Sequence, residues 1–206
     1  PKPAHCSVMP RRGKMPRIRL SLLAILALAL LAGPAGAQAF MRFAKGYEDT
    51  MAKYPNIKIA FKHELLLTRE NGLKFGEDAL VAHPDLKAIY GANDDVAMGV
   101  LQAVKVAGRL DDVLVVGHNG TCEALGSILK GELDMTNMIF ARAIGADMID
   151  AAIKIVHGEE VPSFIAMKVL AIDTAWANGI LDGTREDPPA AIAAETKERL
   201  ERAQGG

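Results

Sequence analysis

Three polar side chains follow one another directly after a short apolar run in "YGANDDVAMGV" (90–100): Asn93, Asp94 and Asp95. A second polar group, His118-Asn119-Gly120-Thr121, follows the apolar run "DVLVVG". Carboxylates are fixed acceptors, and a carboxamide adds donors. Together they suit hydroxyl groups, each of which needs one donor and one acceptor. Gly120 permits a sharp turn or a close backbone approach. The same residues also suit helix capping, with Asp94 or Asp95 as cap of a helix over 95–108 and Thr121 as cap of a helix over 121–132. Asn93 and Asn119 stand one step early for that task, which makes them the better ligand candidates, with Asp94 beside them.

Other constellations are thinner. His118 and Cys122 stand four apart and could pair a thiol with a base, but the spacing alone sets no geometry. His63, His83 and His157 lack a second ligand at metal spacing. Neither a G-x-G-x-x-G nor a Walker A pattern occurs, so nucleotide binding has no support. Met98, Met135, Met138, Met148 and Met167 fall in apolar runs and read as core filler.

The elements that would position these residues alternate. Helical spacing over 40–54 precedes a strand at 56–62. A helix over 68–83, with Thr68 as N-cap, precedes a strand at 86–92. A helix over 95–108, closed by Gly108, precedes a strand at 112–118. Helix 121–132, strand 133–140, helix 141–159 and strand 164–173 complete the series. This order predicts an α/β fold with a mostly parallel sheet and helices on both faces. In such sheets ligands bind outside the carboxyl ends of the strands, where both polar groups fall. The segment "TREDPPAAIAAETKERLERAQGG" is polar and predicts a solvated, frayed helix without chemistry.

The first forty residues read differently. Lys14, Arg17 and Arg19 precede the apolar run "LSLLAILALALLA" (20–32), and "GPAGAQAF" follows. A basic region, a short apolar stretch and small residues at A-x-A spacing describe a cleavable signal peptide, with cleavage after Ala37 or Ala39 and export to the periplasm. The run is short for a membrane span. Of the 24 Lys and Arg, six lie before residue 38; the remaining 18 face 25 acidic residues, a net of −7 after cleavage. That charge argues against a nucleic-acid partner. Only Cys122 would survive processing, so no internal disulfide would form. The division is then an upstream extension and signal peptide (1–37), a binding domain (40–182) and a polar tail (183–206).

The stretch "HPDLKAIYGANDDVAMGVLQAVKVAGRLDDVLVVGHNGTCEAL" (83–125) resembles the periplasmic sugar-binding proteins of ABC importers, of the ribose-binding type. The shared pattern is a strand ending in N-D, a helix with an A-x-G core, a strand reading V-V-G, then a polar pair, Gly and Thr. "KGYEDTMAKYPNIKI", "TRENGLKFGEDALVAHPDLKAIY" and "GADMIDAAIKIVHGEEVP" extend the likeness to roughly 42–182. Sugar-responsive repressors share that fold, but they lack a signal peptide and begin with a helix-turn-helix.

The resemblance implies a sugar or polyol ligand, membrane permease subunits as partners, hinge closure of two lobes, and neither catalysis nor cofactor. It implies hydroxyl-binding roles for Asn93 and for Asn119, where many relatives carry aspartate. Family members often place an arginine where Phe43 stands, which leaves Arg42, one place earlier, as a candidate. A stacking aromatic would fall at Leu67 and a glutamine at Ile139. The resemblance also implies a shortened form: one lobe with remnants of the other, lacking the second lobe's first strands and helix, with impaired sugar binding. Ile144, Met148, Ile149 and Ile153, on the helix that packs on the first lobe in relatives, would need another surface or stay exposed. A periplasmic module that presents a lobe to a sensor or chemoreceptor, and a non-functional remnant, are the alternatives.

Overall fold

A computed structural model of the chain describes residues 24–30, 45–64, 66–163, 165, 169–182, 197–201 and 203–204. Six strands form one sheet: β1 (Ala24–Leu30), β2 (Ile57–Glu64), β3 (Leu86–Gly91), β4 (Leu114–Asn119), β5 (Met135–Ile139) and β6 (Val169–Asp173). Their order is β2-β1-β3-β4-β5-β6, parallel throughout except for β6, which runs antiparallel to β5. The helices are α1 (45–51), α2 (Arg69–Ala82), α3 (Asp94–Val106), α4 (Cys122–Leu129), α5 (Ala141–Val156) and α6 (Thr174–Leu181), followed by helical residues 197–201. The expected α/β alternation is therefore present, and the helix and strand boundaries move by a few residues.

The first correction concerns the apolar run. Ala24–Leu30 lies between β2 and β3, with Leu28 level with Lys62 on one side and Tyr90 on the other. In the fold this run is a strand inside the sheet. A strand covered on both faces reads as a continuous apolar run, as a signal peptide does. Periodicity cannot separate the two. The sheet takes in a strand ahead of residue 40, the start that the sequence reading sets for the domain. The proposed cleavage sites at Ala37 and Ala39 lie outside the described residues.

Leu86, Ile89, Val96, Val100, Leu101, Val115, Leu125 and Ile128 are buried at the centre of the main core, between the sheet and helices α2 to α4. Each such side chain contributes on the order of 1.5–3 kcal/mol by leaving water. The α2–α3 crossing is backbone against backbone. A Cβ at Gly72 would collide with the Val96 carbonyl, and one at Gly99 with the Arg69 carbonyl. These two glycines set the height of α3, and so the position of its N-terminus at the sheet edge. A smaller cluster of Tyr90, Ala92, Tyr47, Ile59 and Val116 includes a stacked pair, Tyr47 on Tyr90, with ring centroids 5.2 Å apart.

The second correction concerns the end of the chain. Leu200 is fully buried in the main core, and Ala203 packs against Gly126 of α4. This stretch is a docked helix and not a frayed one. A single Leu among charged residues is enough anchor when a glycine opposite leaves room for close approach. The two prolines, Pro188 and Pro189, lie outside the described residues. Helix α5 has no buried residue; Met148, Ile149 and Ile153 are exposed, as the sequence reading anticipates for a helix without its usual neighbour, and Ile144 is half-buried.

A chain that starts at residue 38 would lack β1. It should show no cooperative thermal transition by circular dichroism, because β2 and β3 would lose the strand between them. A melt identical to that of the full chain would contradict the place given to β1.

Candidate functional site

Strands β3 and β4 are neighbours, with Ala88, Ile89 and Tyr90 level with Leu114, Val115 and Val116. Both carboxyl ends therefore emerge on the same edge. Extending the register by three residues brings Asn93 level with Asn119. The two carboxamides thus end adjacent strands on the same side, as the sequence reading requires. The edge also lies at a topological switch point. The chain steps from β1 outward to β2 and then crosses back to β3. Open α/β sheets bind ligands at such a reversal.

Capping is distributed differently from the expectation. Asn93, and not Asp95, caps α3; its Oδ1 accepts the Val96 N–H at 2.8 Å. Asp95 sits in the first turn, exposed. The helix starts one residue early because Asp94 turns inward. Thr121 caps α4 as expected, accepting the Ala124 N–H at 3.2 Å, and Thr68 caps α2. The Asn93 Nδ2 also donates to the Leu67 carbonyl at 3.5 Å. A carboxamide carries two N–H groups and two lone pairs, so one donor and one acceptor of Asn93 remain for a ligand.

Asp94 is 1% exposed. Its Oδ2 accepts the Thr121 N–H at 2.7 Å, and its Oδ1 accepts the Thr136 hydroxyl at 2.7 Å. Those bonds span the starts of α3 and α4 and the middle of β5. Asp94 therefore leaves the set of ligand candidates and becomes the tie that holds the edge together. Thr136, which sequence reasoning passes over, is its partner. It also accepts the Gly120 N–H at 3.3 Å. A threonine within an apolar strand, "MTNMI", is the only sequence sign of it.

Asn119 has φ 119, in the left-handed region that disfavours a side chain, and is half-buried. Gly120 follows at φ 69, and a Cβ there would lie 2.5 Å from the Met138 side chain. Positive φ at a residue other than glycine costs on the order of 1–3 kcal/mol. Among the described residues the Asn119 amide meets no hydrogen-bond partner.

Of the remaining candidates, Arg42 lies outside the described residues. His118 is buried, and burial pushes its pKa down, which keeps it neutral. Cys122 is exposed on the first turn of α4. Tyr90, three residues before Asn93, has its pKa pushed up to about 12, mainly by burial and further by the Asp94 charge. Among the described residues no three His, Cys, Asp or Glu gather as metal ligands, and no helix is long and apolar enough to cross a membrane.

Burial raises the Asp94 carboxyl above its ordinary 3.8, and the bonds from Thr121, Thr136 and Gly120 oppose the shift without cancelling it. A native pKa above the unfolded one means the native state holds the proton more tightly. The group's contribution is then full below pH 3.8 and is lost as pH rises through the raised value. Asp94→Asn removes this titration. The unfolding free energy of the unaltered protein minus that of the variant, from urea melts, should shrink as pH rises across that window. A difference that stays flat or grows would contradict the assignment.

Residues 22–160 match the model of the Periplasmic binding protein domain, a match that starts at β1. The chain is 32% identical over 131 residues to the ribose import binding protein RbsB of Salmonella typhimurium, covering 64% of this chain and 44% of that protein. It is 33% identical over 143 residues to the D-allose-binding periplasmic protein of Escherichia coli, covering 66% and 46%. Among solved structures, an ABC transporter periplasmic solute binding protein from Actinobacillus succinogenes with bound D-allose superposes with TM-score 0.68 at 27% identity, covering 74% of this chain and 53% of that one. The chain thus spans about half the length of the curated relatives it matches. The matched domain includes β1, the sheet edge carrying Asn93 and Asn119 and helix α5, and by that match this chain belongs to the periplasmic binding protein family, a non-enzymatic solute-binding family.

Proposed function

We propose that this chain binds a sugar or polyol for an ABC importer in the periplasm, with Asn93 and Asn119 as hydroxyl-binding groups and the permease subunits as its membrane partners. The observation that carries this reading is the placing of two carboxamides at adjacent strand ends beside the switch point, in a chain of this family. Relatives named for ribose, D-allose and D-apiose support a polyhydroxylated ligand.

The chemistry is recognition alone. A carboxamide donates to one hydroxyl lone pair and accepts the proton of another. Asn93 is aimed by its own helix cap, so it loses little rotamer freedom on binding, and the backbone of Asn119 is placed by the turn that Asp94 and Thr136 pin. Leu67 and Ile139 stand at the same edge, where the family resemblance calls for a stacking aromatic and a glutamine. Their apolar side chains would favour a ligand with fewer hydroxyls or a less polar face. The edge is one wall of a cleft, and hinge closure against a second lobe would complete it. Binding by this wall alone is accordingly weak, in the millimolar range or about −4 kcal/mol.

Asn119→Gly separates ligand binding from folding. It relieves the left-handed strain and should raise stability by about 1 kcal/mol, while the D-allose-induced shifts seen by NMR titration of the unaltered chain disappear. Lower stability together with undiminished D-allose shifts would contradict the role given to Asn119.

A further inference from the structure

The turn that presents Asn119 is gripped from three sides, and the third grip comes from the far end of the chain. Asp94 holds the Thr121 N–H and Thr136 holds the Gly120 N–H. The carbonyl of Gly120 accepts a hydrogen bond from Arg199 Nη1 at 3.4 Å, and the same nitrogen donates to the Ile139 carbonyl at 3.1 Å. One guanidinium thus bridges the backbone just beyond the ends of β4 and β5. Its neighbours in sequence seat it. Glu198 accepts two bonds from Arg142, in the first turn of α5, at 2.7 and 3.1 Å. Leu200 is fully buried in the core, and Ala203 lies against Gly126 of α4.

The geometry points to Arg199 as a positioning residue for the ligand edge: the C-terminal helix acts as a strap whose guanidinium holds the strained Asn119–Gly120 turn in its binding orientation. The inference rests on the reading of Asn119 as a ligand group. Physical need supports it. A residue at φ 119 relaxes unless its neighbours over-determine it. Gly120, the most permissive residue, is the hinge about which it would relax. Arginine suits the task, because its fixed fork of donors can serve two carbonyls and stays charged at every working pH. The strap also links the edge to α5, through Glu198 and Arg142, so movement of α5 would reach the turn that carries Asn119.

Amide hydrogen exchange on the ligand-free full chain tests the strap without reference to any sugar. In Arg199→Ala the Gly120 and Thr121 amides should exchange about tenfold faster, while Val100 and Val104 in α3 keep their rates. Arg199→Lys should fall between the two. Unchanged rates at Gly120 and Thr121, or acceleration matched at Val104, would overturn the proposal. If Arg199→Ala does not fold, Arg199→Gln, which is too short to bridge both carbonyls, is read in the same way. Titration with D-allose is the second arm. Loss of the Asn119 shift in Arg199→Ala, with the shift present in the unaltered chain, supports the strap. A persistent Asn119 shift in a variant whose turn exchanges freely overturns it. Absence of any shift in the unaltered chain counts against the ligand reading, and the exchange rates alone then decide for or against Arg199.

Discussion

A single buried carboxylate organises the functional edge. Asp94 stands at the first turn of α3, yet its side chain serves α4 through Thr121 and β5 through Thr136. Removing a charge from water is expensive unless charged-group hydrogen bonds replace its hydration. Here the backbone and hydroxyl donors replace part of it, and burial still leaves the carboxyl pKa raised. The consequence is geometric. With Asp94 turned inward, Asn93 becomes the cap of α3, and the turn after β4 must take the left-handed path through Asn119 and Gly120. The two carboxamides owe their common position to a residue that is itself buried.

How much of this could be read from the sequence depends on how many structures share a given pattern. The alternation from residue 56 onward was legible because the runs differ in period and carry caps. The Thr68 and Thr121 caps and the positive φ of Gly108 are where spacing puts them. The common edge of Asn93 and Asn119 was legible too, because each follows an apolar run and parallel neighbours end on the same side of the sheet. Strand β1 was not legible. A thirteen-residue run, apolar but for Ser21, between basic and small residues satisfies a signal peptide and a central strand alike, and the place between β2 and β3 does not follow from local pattern. The inward turn of Asp94 was equally hidden. N-D-D before a helix offers three possible caps one residue apart, and the choice is made by Thr136, forty-two positions later. The docked tail escaped for a third reason: composition averages over a segment, whereas docking needed Leu200 alone.

The distribution of packing follows the same division. Helices α2, α3 and α4 cover one face with close contacts that glycines make possible. Helix α5 buries none of its residues and carries Met148, Ile149 and Ile153 outward. The edge with the ligand candidates lies between these regimes, pinned to α4 and β5 by Asp94 and linked to α5 through Arg199, Glu198 and Arg142.

The most direct test of the account is a two-dimensional NMR titration of the full chain with D-allose, followed at the side-chain amides of Asn93 and Asn119. The account predicts saturable shifts at both carboxamides, with the Thr121 amide under Asp94 moving less than either. Shifts confined to another part of the surface, such as the shallow depression of about 400 Å³ lined by Met98, Cys122 and Lys130, would contradict it.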